Sequence, residues 1–262
     1  MKESFGDLLS NSWNEYKLNF KVIFKLFLYF VIIPGIVLLL FQIYGIYNLD
    51  ILSVESEQNP FSVFAENSKH YITFLVLSLF IGLLSFLAYI SITCGTLKGK
   101  KFSFSEALHE GKKNYWRSIG FLIVLGIFLT LLFMLFVIPG IIFAVYWAFA
   151  YYVFLAEKKG IIDSLKDSYN MVKGKWWKTF GYCLLIMLVI FGISLIFAIP
   201  SSFLNLINFL ETISGAGAVS KLGRVILGIV SFVFSVAGQL ITTPLLTIFM
   251  KNFYLGMNKG SK

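Results

Sequence analysis

Trp176 to Pro200 reads WWKTFGYCLLIMLVIFGISLIFAIP. Two indoles and a lysine lead into Thr179–Ile199, which carries no charge. Bilayer hydrocarbon is roughly 30 Å thick and an α-helix rises about 1.5 Å per residue, so about 20 apolar residues cross it. This run is therefore long enough to span. Working outward, five more uncharged runs follow the same reading: Leu26 to Tyr47, Tyr71 to Cys94, Ser118 to Ile138, Ile141 to Ala156 and Val225 to Met250. The run from 141 to 156 is short and crosses only by thinning the bilayer or borrowing its flanks. The expected fold is all-α: a polytopic membrane protein of six transmembrane helices, one integral domain over residues 1–262.

Composition agrees with that reading. Hydrophobic residues make up 58% and charged residues 13% of the chain, against about 25% charge in soluble domains. The net charge of +9 comes from lysines clustered beside apolar runs, which points to anionic lipid headgroups and away from nucleic acid. With the N-terminus inside and six crossings, 19 of the 22 bases and eight of the 13 acids fall on one side, and three bases with five acids on the other. That asymmetry places both termini in the cytoplasm. About twenty mixed residues precede the first run, so the N-terminus does not read as a secretory signal.

Three shorter segments of mixed polarity, Ser4 to Asn19, Ser103 to Asn114 and Ile161 to Val172, show helical periodicity and read as amphipathic helices at the membrane interface. Ser103 with Glu106 has the spacing of a capping box. An internal repeat lies at an offset of 61. Tyr115-Trp116-Arg117-Ser118-Ile119-Gly120-Phe121 matches Trp176-Trp177-Lys178-Thr179-Phe180-Gly181-Tyr182, and both segments end in Ile-Pro, at Pro139 and Pro200. The run ending at Pro34 has a weaker likeness. Repeats are expected at 1–101, 102–160 and 161–262, each a hairpin approached through an amphipathic helix. Pro34, Pro139 with Gly140, Pro200 and Pro244 are expected to end or kink helices.

Chemistry-bearing patterns are few. No charged residue lies within a run, as transport of protons or ions usually requires. Gln42 and Gln239 are the polar groups about which a translocation path would form. His70 and His109 fall on opposite sides and neither sits in an HExxH pattern. GxSxG and Walker sequences are absent, and Cys94 and Cys183 lack metal spacing. Asp163 with Asp167 reads as a solvated face beside Lys166, and Gly215-Ala216-Gly217 as a turn. No enzyme, cofactor or metal is expected. The remaining signal is a collar of Lys112, Lys113, Trp116 and Arg117, repeated as Lys173, Lys175, Trp176, Trp177 and Lys178. It would set indoles at headgroup depth with cations beside phosphates, either as a generic anchor or as a phospholipid site.

The segment Ser164 to Gly181, with Leu165, Ser168, Val172-Lys173-Gly174, Trp176-Trp177 and Phe180-Gly181, resembles the membrane-domain family found fused to glycerophosphoryl diester phosphodiesterases, and related stand-alone membrane proteins. Ile138-Pro139-Gly140, followed by a span carrying Trp147, belongs to the same resemblance. It implies a lipid-associated module in the cytoplasmic membrane of a prokaryote. The catalytic barrel of the fused proteins has no counterpart before Lys262, so their activity does not carry over. The expected function is a non-enzymatic, lipid-associated or partner-organising module. The alternatives are a transporter or lipid translocator, and an accessory subunit of a membrane complex.

Overall fold

The structure, a computed structural model, describes residues 3–48, 68–214 and 220–258. Residues 49–67 and the expected turn Gly215-Ala216-Gly217 lie outside the described residues. All regular structure among the described residues is helical. The elements are α1 (Phe5–Phe27), a π-helical turn (Leu28–Ile32), α2 (Ile33–Asn48), α3 (Ser68–Lys98), α4 (Phe104–Leu135), α5 (Val137–Tyr146), α6 (Ala150–Glu157), α7 (Ile161–Val172), α8 (Trp176–Ser214) and α9 (Lys221–Asn258). Six helical stretches are long and apolar enough to cross a membrane: Phe5–Gly45, Ser68–Lys98, Phe104–Leu135, Val137–Glu157, Trp176–Phe203 and Lys221–Asn258. Helices suit that solvent because each backbone N–H and C=O is paired within its own segment.

The amphipathic segments divide into two kinds. Ile161–Val172 is a separate helix, closed by Gly174 at φ +80°, a left-handed conformation that glycine adopts without steric cost. Ser4 to Asn19 and Ser103 to Asn114 instead form the opening turns of α1 and α4, which run on into the apolar runs without a break. No proline interrupts either stretch, so nothing stops the helix at the change of polarity. Both begin in the same way. In α4 the Glu106 N–H donates to Ser103 Oγ at 3.3 Å and the Ser103 N–H donates to Glu106 Oε2 at 3.1 Å. In α1 Ser4 and Asp7 exchange the equivalent bonds at 3.2 and 3.1 Å.

Of the prolines expected to end or kink helices, three lie within continuous helix. Pro34 and Pro200 do not end their helices, because the backbone continues helical through both; Pro244 likewise lies inside α9. At Pro34 the preceding π-helical turn explains the continuity. The Ile33 N–H reaches back five residues to the Leu28 carbonyl. The Phe30 carbonyl, which an N–H at position 34 would otherwise serve, accepts a bond from Ser85 Oγ at 3.3 Å. Pro139 sits in the first turn of α5, where a backbone N–H has no intrahelical acceptor. One extended residue, Phe136, joins α4 to α5. A Cβ on Gly140 would stand 2.6 Å from the Phe133 ring, so the tight hairpin needs glycine there.

The chain forms two compact units. Unit 1 comprises Met1–Leu26, Leu87–Gly192 and Thr242–Lys262; unit 2 comprises Phe27–Phe86 and Ile193–Ile241. Unit 2 is built on close aromatic-to-glycine approaches, with Phe232 against Gly35 and Phe197 against Gly238. Unit 1 holds a core cluster in which Leu8, Phe149, Val153, Val172, Phe249, Phe253 and Tyr254 are buried together.

Three junctions in unit 1 share one arrangement. At each, the buried face of a leading helix presents a small residue to the end of an outgoing helix. Gly111 of α4 meets Ser91 of α3, so closely that a Cβ on Gly111 would stand 2.9 Å from the Ser91 Cα. Ser168 of α7 donates to the Tyr146 carbonyl at 2.7 Å and accepts from the Phe149 N–H at 3.2 Å. Ser12 of α1 accepts from Asn252 Nδ2 of α9 at 3.1 Å. Close approach of helices through small residues is how transmembrane helices gain dispersion contacts that lipid cannot supply.

Candidate functional site

The two collars occupy corresponding places on α4 and α8. Trp116 and Trp177 are 77% and 78% exposed, so the repeat preserves the outward aim of one indole in each copy. The adjacent cations fold back onto aromatic faces: Arg117 lies over the Phe154 ring at 4.9 Å, and Lys178 over the Tyr182 ring at 5.4 Å. Such contacts hold a cation beside the protein without neutralising it. The next residues, Ser118 and Thr179, are fully buried. Ser118 Oγ accepts from the Tyr151 hydroxyl at 3.1 Å, and Thr179 Oγ1 donates to the Lys175 carbonyl at 3.2 Å. Lys112, Lys113 and Lys173 are exposed, and Lys175 is half-buried.

Trp176 departs from its neighbour. Its ring stacks on Phe180 at 5.2 Å with planes 6° apart, and its Nε1–H donates to the Ile142 carbonyl at 3.3 Å. The second collar is thereby tied to α5 as well as to its own helix.

Phe180 also forms part of the wall of a cavity of about 700 Å³ within unit 1, walled mainly by α4, α5, α8 and α9, with Tyr89 of α3 and Tyr151 and Tyr152 of α6. Side chains on one face of α8, including Phe180, Cys183, Leu184, Met187 and Ile190, form one wall, and Ile141, Ala144 and Ala148 stand on the α5 side. Much of the hydroxyl lining is committed within the protein. Tyr152 OH donates to the Thr247 carbonyl at 3.2 Å, and Thr247 Oγ1 donates to the Thr243 carbonyl at 2.9 Å. Ile141, Leu184 and Met187 of its wall are also exposed, so the cavity is an open, mostly apolar recess and not a closed void. No sequence pattern marked these residues, because they come from helices far apart in the chain. The one legible signal is the recurrence of apolar residues at helical spacing from Trp176 to Ile190.

A second feature outside the sequence reading is polar. Lys251 Nζ donates to Glu15 Oε1 and Oε2 at 2.6 and 2.8 Å. The pair is almost fully buried, with Asn252 Nδ2 bonded to Glu15 Oε2 at 3.3 Å. Lys251 is therefore engaged within the protein. Asp167 is likewise engaged, since Lys159 Nζ lies 2.7 Å from its Oδ2 and 2.6 Å from Glu157 Oε2. Gln42 and Gln239 are exposed on unit 2 and line none of the cavity described above; Gln239 Nε2 donates to Ser235 Oγ within its own helix at 3.2 Å. Among the described residues, no three of His, Cys, Asp and Glu gather as a metal-binding group.

A family model described as Domain of unknown function (DUF7847) matches residues 65–254, well over half of the chain. No curated protein and no solved structure matches.

Proposed function

We propose a function from geometry for this chain, which belongs to the family described as Domain of unknown function (DUF7847): a non-enzymatic integral membrane module that associates with anionic phospholipid through its two collars. The observation that carries the reading is the like exposure of Trp116 and Trp177, each followed by a cation held against the protein. Indoles favour the headgroup boundary, and cations beside them attract phosphate. The three like junctions support three hairpin repeats, and the charge asymmetry supports a cytoplasmic location for collars and termini.

The test replaces Trp116, Arg117, Trp177 and Lys178 together by Ala or Leu. Anionic phospholipid co-purified in mild detergent should fall several-fold. An unchanged lipid complement would remove the collar site and leave only generic anchoring. Orientation has its own test: a Glu57→Cys variant should react with an impermeant maleimide from outside the cell, and labelling from the cytoplasmic side alone would reverse the topology.

The cavity favours a second reading, a lipid translocator. A translocator needs a route for the headgroup as well as the tail, and the exposed Gln42 and Gln239 do not line the cavity.

A further inference from the structure

We infer that the cavity in unit 1 seats one acyl chain of an anionic phospholipid whose headgroup is held at the second collar, an inference that rests on the lipid association proposed above. Three observations lead there. The first is continuity. Trp176, Phe180, Cys183, Met187 and Ile190 follow one another at three- and four-residue steps, so they form a single stripe down one face of α8. At about 1.5 Å per residue the stripe runs roughly 21 Å, deeper than one leaflet's share of the hydrocarbon. Its upper end is the collar, and from Phe180 onward it is cavity wall.

The second observation is chemical. The hydroxyls of Tyr151, Tyr152 and Thr247 are bonded to protein partners, and the rest of the wall is mostly apolar. Its volume lies within the range of roughly 300–1,000 Å³ usual for small-molecule sites. A polar ligand would lose its hydration with little in return, whereas a hydrocarbon chain exchanges lipid contacts for those of a similarly apolar wall.

The third is charge at the mouth. Lys173 and Lys175 precede Trp176 at the collar end of the stripe, whereas Lys178 is held over Tyr182 on another face of α8. Lys173 and Lys175 stand where a headgroup would emerge if its tail lay along the α8 stripe. A lipid bound this way fills the recess and satisfies the collar at once, which neither an isolated fatty chain nor a soluble phosphate does.

The experiment uses the full chain purified from its membranes in mild detergent, with bound lipid extracted and counted by mass spectrometry. Wild type should retain about one phospholipid per chain, enriched in anionic headgroups. Ala144→Phe, which fills the cavity, should lower retained lipid at least five-fold. Lys173→Gln combined with Lys175→Gln should keep the lipid count and lose the anionic preference. Full retention in Ala144→Phe overturns the acyl-chain site while leaving the collar reading intact. Lipid without headgroup preference in wild type overturns the collar reading, and this inference with it.

A measurement with the cavity wall unaltered keeps the proposal falsifiable should Ala144→Phe misfold. In a Cys94→Ser variant stripped of bound lipid by extended detergent washing, N-ethylmaleimide should label Cys183 several-fold more slowly when phosphatidylglycerol is added back to the micelles. Phosphatidylcholine at equal concentration should slow it less. Labelling that ignores both lipids overturns the proposal.

Discussion

Glu15 and Lys251 stand 236 residues apart in sequence and form a buried ion pair with Nζ–O distances of 2.6 and 2.8 Å. The pair belongs to the junction of α1 with α9, beside the Ser12–Asn252 bond. At the other two junctions a short connection closes the contact, residues 99–103 between α3 and α4 and residues 158–160 between α6 and α7. No such connection joins α9 to α1. Ion pairs occur at all three junctions, Lys98 with Glu110 at 2.9 Å and Lys159 with Asp167 at 2.7 Å at the other two, and that of Glu15 with Lys251 is the most deeply buried of them.

Removing one member of this pair should be costly. Glu15→Gln or Lys251→Met leaves a buried charge without its partner, for which about 3–5 kcal/mol is expected. Replacing both, as Glu15→Met with Lys251→Leu, should recover most of the loss, because burying two ions is itself expensive. Thermal unfolding in detergent followed by circular dichroism reads both effects. Single variants as stable as wild type would show that water reaches the pair.

Glycines on α4 should respond oppositely according to what faces them. Gly111 opposes Ser91 with no room for a methyl group, so Gly111→Ala should destabilise by roughly 1–3 kcal/mol. Gly120 and Gly126 have nothing within 4 Å of a built Cβ. There alanine should be neutral or stabilise by about 0.5–1 kcal/mol through helix propensity. Equal effects at Gly111 and Gly120 would contradict the close packing of α3 on α4.

Much of this architecture is legible in the sequence, because span length and charge exclusion are local properties. The six runs and the Ser103–Glu106 cap are found where the spacing predicts them. The roles of Glu15 and Lys251 are not legible. Lys251 directly follows an apolar run and reads as one more headgroup lysine until α1 is seen against α9. The cavity is hidden for the same reason: its walls are gathered from helices far apart in the chain. Whether a proline ends its helix is not legible either. A proline removes one N–H and crowds one carbonyl, and whether the helix stops depends on whether something else serves that carbonyl, which a local pattern does not contain.

Lys159 joins the end of α6 to α7 by bonding Asp167 and Glu157. These bonds, that to Asp167 foremost, hold its pKa above the ordinary lysine value. A raised pKa in the folded state means that the contribution is fully present below the unfolded value of about 10.4 and is lost as pH rises through the folded one. The difference in thermal stability between wild type and Lys159→Gln should therefore be constant from pH 6 to near pH 10 and shrink above it. Because the group is exposed, added salt should reduce the difference too. A difference that vanishes already at pH 8 would rule out the paired lysine.

The π-helical turn before Pro34 offers a test of how a membrane helix survives proline. With proline at 34, the Phe30 carbonyl loses its usual N–H donor and takes Ser85 Oγ at 3.3 Å. Ser85→Ala should then strand that carbonyl, and an unmet buried acceptor costs about 1–3 kcal/mol. Pro34→Ala restores an N–H at position 34, which lets the helix relax to ordinary four-residue bonding and frees Phe30 from its dependence on Ser85. The cost of Ser85→Ala should accordingly be large in the wild-type background and close to nil in Pro34→Ala. The double-mutant cycle on thermal stability isolates that coupling from whatever each substitution does alone. Additive effects would mean that the serine is a bystander, and that the wider turn alone absorbs the proline.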